Sequence, residues 1–189
     1  LNNNLFSKET RNFNFCQLLC GSEGTLAFTT EIKLNLVPLP KPNVVLVAAH
    51  FKSINESLKA TIIAMQENVT ACELMDKTIL DCTKNNIEQQ KNRFFVEGDP
   101  EAILILEFRA DTLIEGKSQA RQLIKLLHES QLGYAYPEIL GEHTENVWNL
   151  RKAGLGLLAN IPGDKKAVAC IEDTAVAVED LPEYIEAVT

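Results

Sequence analysis

This 189-residue chain is poor in three features that would quickly reveal a protein's class. It lacks long apolar runs, and none approaches the roughly 18 residues that a bilayer-crossing helix requires. It is short of basic residues, with 18 Lys and Arg against 26 Asp and Glu and a formal net charge of -8. That balance argues against a nucleic-acid surface, whose usual footprint is a basic face, and permits a protein acting on a small molecule. It also lacks patterned metal ligands. The histidines His50, His128 and His143 share no ligand spacing, and Cys16, Cys20, Cys72, Cys82 and Cys170 contain no C-x-x-C pair. An odd cysteine count in so apolar a chain argues against a disulfide scaffold. Cys16 and Cys20, four apart, could face each other or a metal on a helix, but small buried thiols in a reducing cytoplasm are the expectation. The start, Leu1-Asn2-Asn3-Asn4, has neither an initiator Met nor an apolar signal core, so the chain reads as a piece of a longer one.

What is present is a clear punctuation. Pro38-Leu39-Pro40-Lys41-Pro42 forces extended, polyproline-like backbone and marks a boundary. Before it, apolar and polar residues alternate from Thr29 to Leu36, the pattern of a half-buried strand. After it, Val44-Val45-Leu46-Val47-Ala48-Ala49 reads as a buried strand. Ser53-Ile54-Asn55-Glu56 is a capping box that opens a helix, with Ile54, Leu58, Ile62, Met65 and Val69 as its apolar stripe. Residues 70–76 read as a short strand whose Asp76 caps a short helix. Residues 84–100 are polar apart from Phe94-Phe95-Val96 and read as a loop or mobile insertion.

The pattern then repeats. Residues 103–109 form a buried strand, Thr112-Leu113-Ile114-Glu115 caps a helix striped by Ala120, Leu123, Ile124 and Leu127, and Gly133 is placed to end it. Residues 134–140 suit an edge strand because Pro137 cannot donate to a central ladder. A third helix spans 142–159, a strand spans 167–171, and Asp180-Leu181-Pro182-Glu183 opens a last helix. Strands alternating with two capped helices predict an α+β fold, with a ferredoxin-like antiparallel sheet carrying helices on one face. A small doubly wound sheet fits the same alternation.

The motif with chemical potential is Gly21-Ser22-Glu23-Gly24-Thr25. Two glycines three apart permit backbone conformations closed to other residues and close approach to a ligand. Successive amides in such a turn can form an anion nest. It is neither a Walker loop nor the dinucleotide fingerprint. By residue chemistry, an ordinary tight turn and a ligand loop are equally consistent with it.

The stretch Leu18-Leu19-Cys20-Gly21-Ser22-Glu23-Gly24-Thr25-Leu26-Ala27-Phe28-Thr29-Thr30-Glu31 resembles the end of the FAD-binding domain in FAD-linked oxidases. These belong to the vanillyl-alcohol oxidase superfamily, here in its D-lactate, glycolate and D-2-hydroxyglutarate dehydrogenase branch. The proline exit, Glu73-Leu74-Met75-Asp76, Val147-Trp148-Asn149-Leu150-Arg151-Lys152 and Ile171-Glu172-Asp173-Thr174-Ala175-Val176 continue the resemblance in order. Ala27-Phe28 and the 156–163 segment are most similar to large members that append an iron–sulfur module.

The resemblance implies that residues 1–42 end an FAD-binding domain and that 43–189 form most of a substrate domain. It implies FAD against Gly21, Ser22, Glu23, Gly24 and Thr25, and a 2-hydroxy acid as substrate. It also implies that Arg151 points toward the substrate carboxylate, which a guanidinium fork binds bidentately as lysine cannot. Lys165 and Lys166 are further cations, while Glu172 and Asp173 read as structural. The family's metal or base site comes from a His-x-Gly-Asp-Gly-Asn-x-His segment, expected beyond residue 189, so no catalytic acid or base, metal site or iron–sulfur cluster is assigned within the chain. The resemblance identifies no electron acceptor. The second reading is an α+β small-molecule-binding or regulatory domain without redox chemistry.

Overall fold

The computed structural model of the chain describes residues 13–84, 86–159, 163–164 and 175–189. It divides into two compact units, residues 1–39 and 40–189.

In the second unit, four strands form one antiparallel sheet: β1 (Asn43–Phe51), β2 (Ala71–Asp76), β3 (Ala102–Ala110) and β4 (Glu138–Leu140). Their order is β2-β3-β1-β4. The central pair runs from Asn43 opposite Ala110 to Phe51 opposite Ala102, so β3 sits between β1 and β2, which helix α2 (Ile54–Ala64) joins. Helix α5 (Leu113–Glu129) joins β3 to β4 in the same way. This is the split βαβ arrangement, and it decides against the doubly wound alternative.

The helices begin where side chains satisfy their free amides. The Glu56 amide donates to Ser53 Oγ at 3.1 Å, and the Glu115 amide to Thr112 Oγ1 at 3.2 Å. The Glu56 carboxylate reaches one residue further back than a capping box requires, accepting from the Lys52 amide at 3.1 Å. Asp76 caps helix α3 (Lys77–Lys84) by accepting from the Ile79 amide at 3.0 Å. Helix α5 ends on Gln131 in the left-handed region, with a φ of 56°. The Gln131 and Leu132 amides return to the carbonyls of His128 and Leu127, both at 3.0 Å, closing a Schellman turn. Gln131, rather than Gly133, therefore ends the helix.

The sheet is buried on both faces, which explains why β1 and β3 read as continuous apolar runs rather than alternating ones. On one face, Val45, Val47, Phe51, Leu104, Leu106 and Phe108 pack against Ala60 and Ala64 of α2 and Ala120, Leu123 and Leu127 of α5. Within α2, Ala60 and Ala64 contact the sheet with Ile63 packed beside them; of the expected stripe, Leu58 is buried and Val69 packs on this core, while Ile54 and Met65 are exposed. The two capped helices share one face, as expected. The other face is not bare: Leu46, Ala48, Met75, Ile103 and Ile105 lie under Leu80, Phe95, Val147 and Leu150. Val147 and Leu150 belong to α6 (His143–Ala159). Each such side chain contributes about 1.5–3 kcal/mol by leaving water.

Residues 84–100 are not a loose insertion. They contain α4 (Ile87–Gln90) and a 3-10 turn over Lys91–Arg93. Phe95 is buried in the second core. Arg93 donates to the Leu80 carbonyl at 2.6 Å and to Thr83 Oγ1, which closes the end of α3. Residues 181–188 form α7 (Leu181–Val188) with proline in its first turn. The expected strand at 167–171 lies outside the described residues.

In the first unit, α1 (Phe15–Leu19) is capped by Asn14, whose side chain accepts from the Cys16 amide at 3.1 Å. The strand expected from Thr29 to Leu36 is not formed; residues 31–40 carry no regular structure. Its alternating apolar side chains Ile32, Leu34 and Leu36 are exposed, Leu36 by 93%. Alternation makes a strand only where a neighbouring strand takes its hydrogen bonds, and among the described residues this segment has none. The cysteines also depart from expectation. Cys16 and Cys20 are exposed, and Cys72 and Cys82 are partly buried; burial pushes the Cys72 thiol above its ordinary range.

Candidate functional site

The 21–25 turn follows directly from α1. The Ser22 amide donates to the Leu19 carbonyl at 3.1 Å, and the Thr25 amide to the Ser22 carbonyl at 2.9 Å. The Thr25 hydroxyl donates to the same carbonyl at 2.6 Å. Gly21, Glu23 and Gly24 all have positive φ, at 79°, 51° and 76°. Glycine relieves the strain at two of these positions, and Glu23 carries it at the third. A Cβ built on either glycine would meet nothing within 4 Å. The glycines are therefore required by backbone conformation, and they leave the turn open to close approach. The amides of Glu23 and Gly24 have no backbone acceptor among the described residues, so they can donate to an anion or a polar ring edge. This fits one edge of a flavin or pyrophosphate site.

Arg151 lies in the second unit, in the middle of α6. Its neighbours Val147 and Leu150 are fully buried in the second core and fix the helix against the sheet. Gly154, one turn on, brings α6 against α3: a Cβ there would come within 3.3 Å of Ile79. Since α3 continues directly from β2, this close approach brings Arg151 to β2, where Glu73 meets it. Arg151 Nε and Nη2 both donate to Glu73 Oε2, at 3.1 and 2.8 Å. The guanidinium side chain is 38% exposed and the Glu73 carboxylate side chain 43%. An exposed arginine paired on one edge keeps donors for a second carboxylate.

A second Glu–Arg pair occupies the same face of the sheet. Glu107 is almost fully buried, and its carboxylate accepts from Arg109 Nε at 2.6 Å and from the Thr70 hydroxyl at 3.0 Å. Alternation along β3 puts Glu107 on the side of Ile103 and Ile105. The sequence pattern marks neither Glu73 nor Glu107 as a site residue. A lone acid in an otherwise apolar strand was the available signal for Glu107. Nothing local marks Glu73 as the partner of a residue 78 positions away.

The structure thus gathers Gly21, Ser22, Glu23, Gly24 and Thr25 into one turn, and joins Arg151 to Glu73. Lys165, Lys166, Glu172 and Asp173 lie outside the described residues. Among the described residues, no group of three or more His, Cys, Asp or Glu could hold a metal ion, and no helix is long and apolar enough to cross a membrane.

The profile described as "FAD linked oxidases, C-terminal domain" matches residues 40–189. The chain belongs to the FAD-linked oxidases. Proteins named D-2-hydroxyglutarate dehydrogenase are similar over most of it. That of Pantoea ananatis is 31% identical over 192 residues, covering 96% of this chain and 19% of its own length. Those of Haemophilus influenzae and Pseudomonas putida are 30% and 31% identical, covering 96% and 94% of this chain and 19% and 18% of their own lengths. The chain therefore spans about a fifth of the relatives it matches. In FAD-linked oxidase terms, the four-stranded sheet and the Arg151 helix lie in the matched C-terminal domain, and the 21–25 turn precedes it.

Proposed function

We propose that the chain is part of an FAD-dependent dehydrogenase that oxidises a D-2-hydroxy acid, D-2-hydroxyglutarate or a D-lactate-like acid, to the 2-oxo acid. Residues 1–42 would end the FAD-binding domain and 43–189 would form the substrate domain. The carrying observation is Arg151: a partly exposed guanidinium, anchored on one edge among the described residues, on a helix packed rigidly to the sheet. Similarity to three enzymes named for this reaction supports the substrate class.

Arg151 would hold the substrate carboxylate and so fix the α-carbon, which converts loose encounter into productive orientation. Gly21, Ser22, Glu23, Gly24 and Thr25 would hold the cofactor edge through backbone amides. Bound FAD supplies the acceptor for the two electrons released when the hydroxy acid becomes an oxo acid. The group that takes the hydroxyl proton, the iron–sulfur module and the electron acceptor are assigned to other parts of the parent protein, which we place in the cytoplasm.

Two measurements test this. In the full-length enzyme, Arg151→Lys replaces a fork by a point charge, and kcat/KM toward D-2-hydroxyglutarate should fall by about 100-fold. An unchanged kcat/KM would remove Arg151 from the substrate site. The 189-residue chain itself should purify colourless and leave the spectrum of added FAD unaltered, because the turn supplies one edge of a site. A yellow preparation would show instead that these residues hold the cofactor alone.

A further inference from the structure

We propose that Glu73 is a positioning residue for substrate recognition: it grips one edge of the Arg151 guanidinium and presents the opposite fork to the substrate carboxylate. This deepens the reading of Arg151 given above and rests on it.

The geometry is specific. A guanidinium has five N–H donors in two forks, a side-on pair from Nε and Nη2 and an end-on pair from Nη1 and Nη2. Glu73 uses a single oxygen, Oε2, to accept from both Nε and Nη2. It therefore closes the side-on fork and, among the described residues, leaves the end-on fork with its two roughly parallel donors, the geometry that binds a second carboxylate bidentately. The anchor is itself held. Glu73 stands on β2, registered opposite Ile105 of the buried strand β3, and α6 is held close by the packing of Gly154 on Ile79.

Two effects of Glu73 on an anionic substrate oppose each other. Fixing the arginine removes rotamer freedom before binding, so that cost is not met when the substrate arrives. The carboxylate's charge, on the other hand, repels the incoming anion. Both Glu73 and Arg151 are substantially solvated, so water weakens the repulsion across the width of the guanidinium, whereas the Nε and Nη2 hydrogen bonds act at contact distance. Orientation therefore dominates. The two effects separate by substitution: glutamine keeps an acceptor oxygen at the same reach and discards the charge, while alanine discards both.

The test uses the full-length enzyme with D-2-hydroxyglutarate. E73A should raise KM about tenfold with kcat nearly unchanged, and E73Q should leave KM within about twofold of wild type or lower it. E73D keeps the charge but shortens the reach and should behave like E73A, which keeps the test decisive if E73A folds poorly. If R151K is severe but E73A and E73D leave KM unchanged, Glu73 does not position the arginine. E73Q as damaging as E73A would show that charge, not orientation, matters, and would equally overturn the proposal. A silent R151K would instead sink the underlying assignment of Arg151. An independent readout is the Arg151 Nε–H resonance of the 189-residue chain, expected to be protected in wild type and E73Q and lost in E73A. An unprotected wild-type signal counts against the proposal.

Discussion

The sharpest test of the packing is His50, the last residue but one of β1. Its side chain is fully buried. Nδ1 lies 2.8 Å from the Ala48 carbonyl, so that nitrogen carries the proton, and Nε2 then accepts from the Glu97 amide at 3.1 Å. The Tyr134 ring meets it edge-on, with centroids 5.9 Å apart, and the Tyr134 hydroxyl donates to the Glu97 carbonyl at 2.9 Å. The imidazole thereby ties the 94–98 segment to the sheet. Burial holds its pKa below the ordinary histidine value, against the raising effect of the Ala48 carbonyl.

The sign follows from linkage. The unfolded chain takes up a proton near pH 6.5 and the folded chain only at lower pH, so stability contributed by neutral His50 is complete above 6.5 and declines as pH falls below it. Replacing His50 with Leu leaves the Glu97 amide and the Ala48 carbonyl without these partners, at about 1–3 kcal/mol each, or about 2–6 kcal/mol in all. Urea denaturation at pH 7.5 and at pH 5.5 measures both effects. The variant should be less stable at pH 7.5, and its loss between the two pH values should be smaller than that of wild type. An equal pH dependence in the two proteins would refute the assignment of a buried neutral histidine.

Phe95 to Ala empties a ring site in the second core and should cost about 3–5 kcal/mol, lowering Tm by roughly 6–20 °C in a thermal melt. A surface-like change below 1 kcal/mol would mean residues 84–100 are not anchored. Lys77 and Lys84 hold Asp99 at 2.6 and 2.8 Å and lower its pKa from 3.8 to about 2. Stability from this cluster is present above the unfolded value and lost as pH falls toward 2, so the acid limb of a pH–stability curve should flatten in Asp99→Asn.

Much of the fold was legible because its signals are local. Ser53 and Thr112 marked helix starts, and the apolar runs at 44–49 and 103–109 marked the central strands. Features set by distant partners were not. Phe95 sits in a polar stretch and is recognisable as core only once Leu80 and Leu150 surround it. In α2, Ile54 and Met65 outweighed alanines on paper, but close approach of a helix to a sheet favours Ala60 and Ala64. The alternation at 29–36 is real in sequence, yet a strand needs a ladder. For the candidate site, the family motif pointed to Arg151 but said nothing of what restrains it, since the Glu73 contact is long-range.

The order β2-β3-β1-β4 also has a consequence in time. The central strand β1 pairs with β3 from Phe51 opposite Ala102 to Asn43 opposite Ala110, so it leaves the ribosome well before its partner. At about 5–20 residues per second, the wait is roughly 3–10 s. Throughout it, a largely apolar strand with both faces destined for burial is without its central partner. The exposed interval adds an aggregation hazard during synthesis that the stability of the finished sheet does not describe.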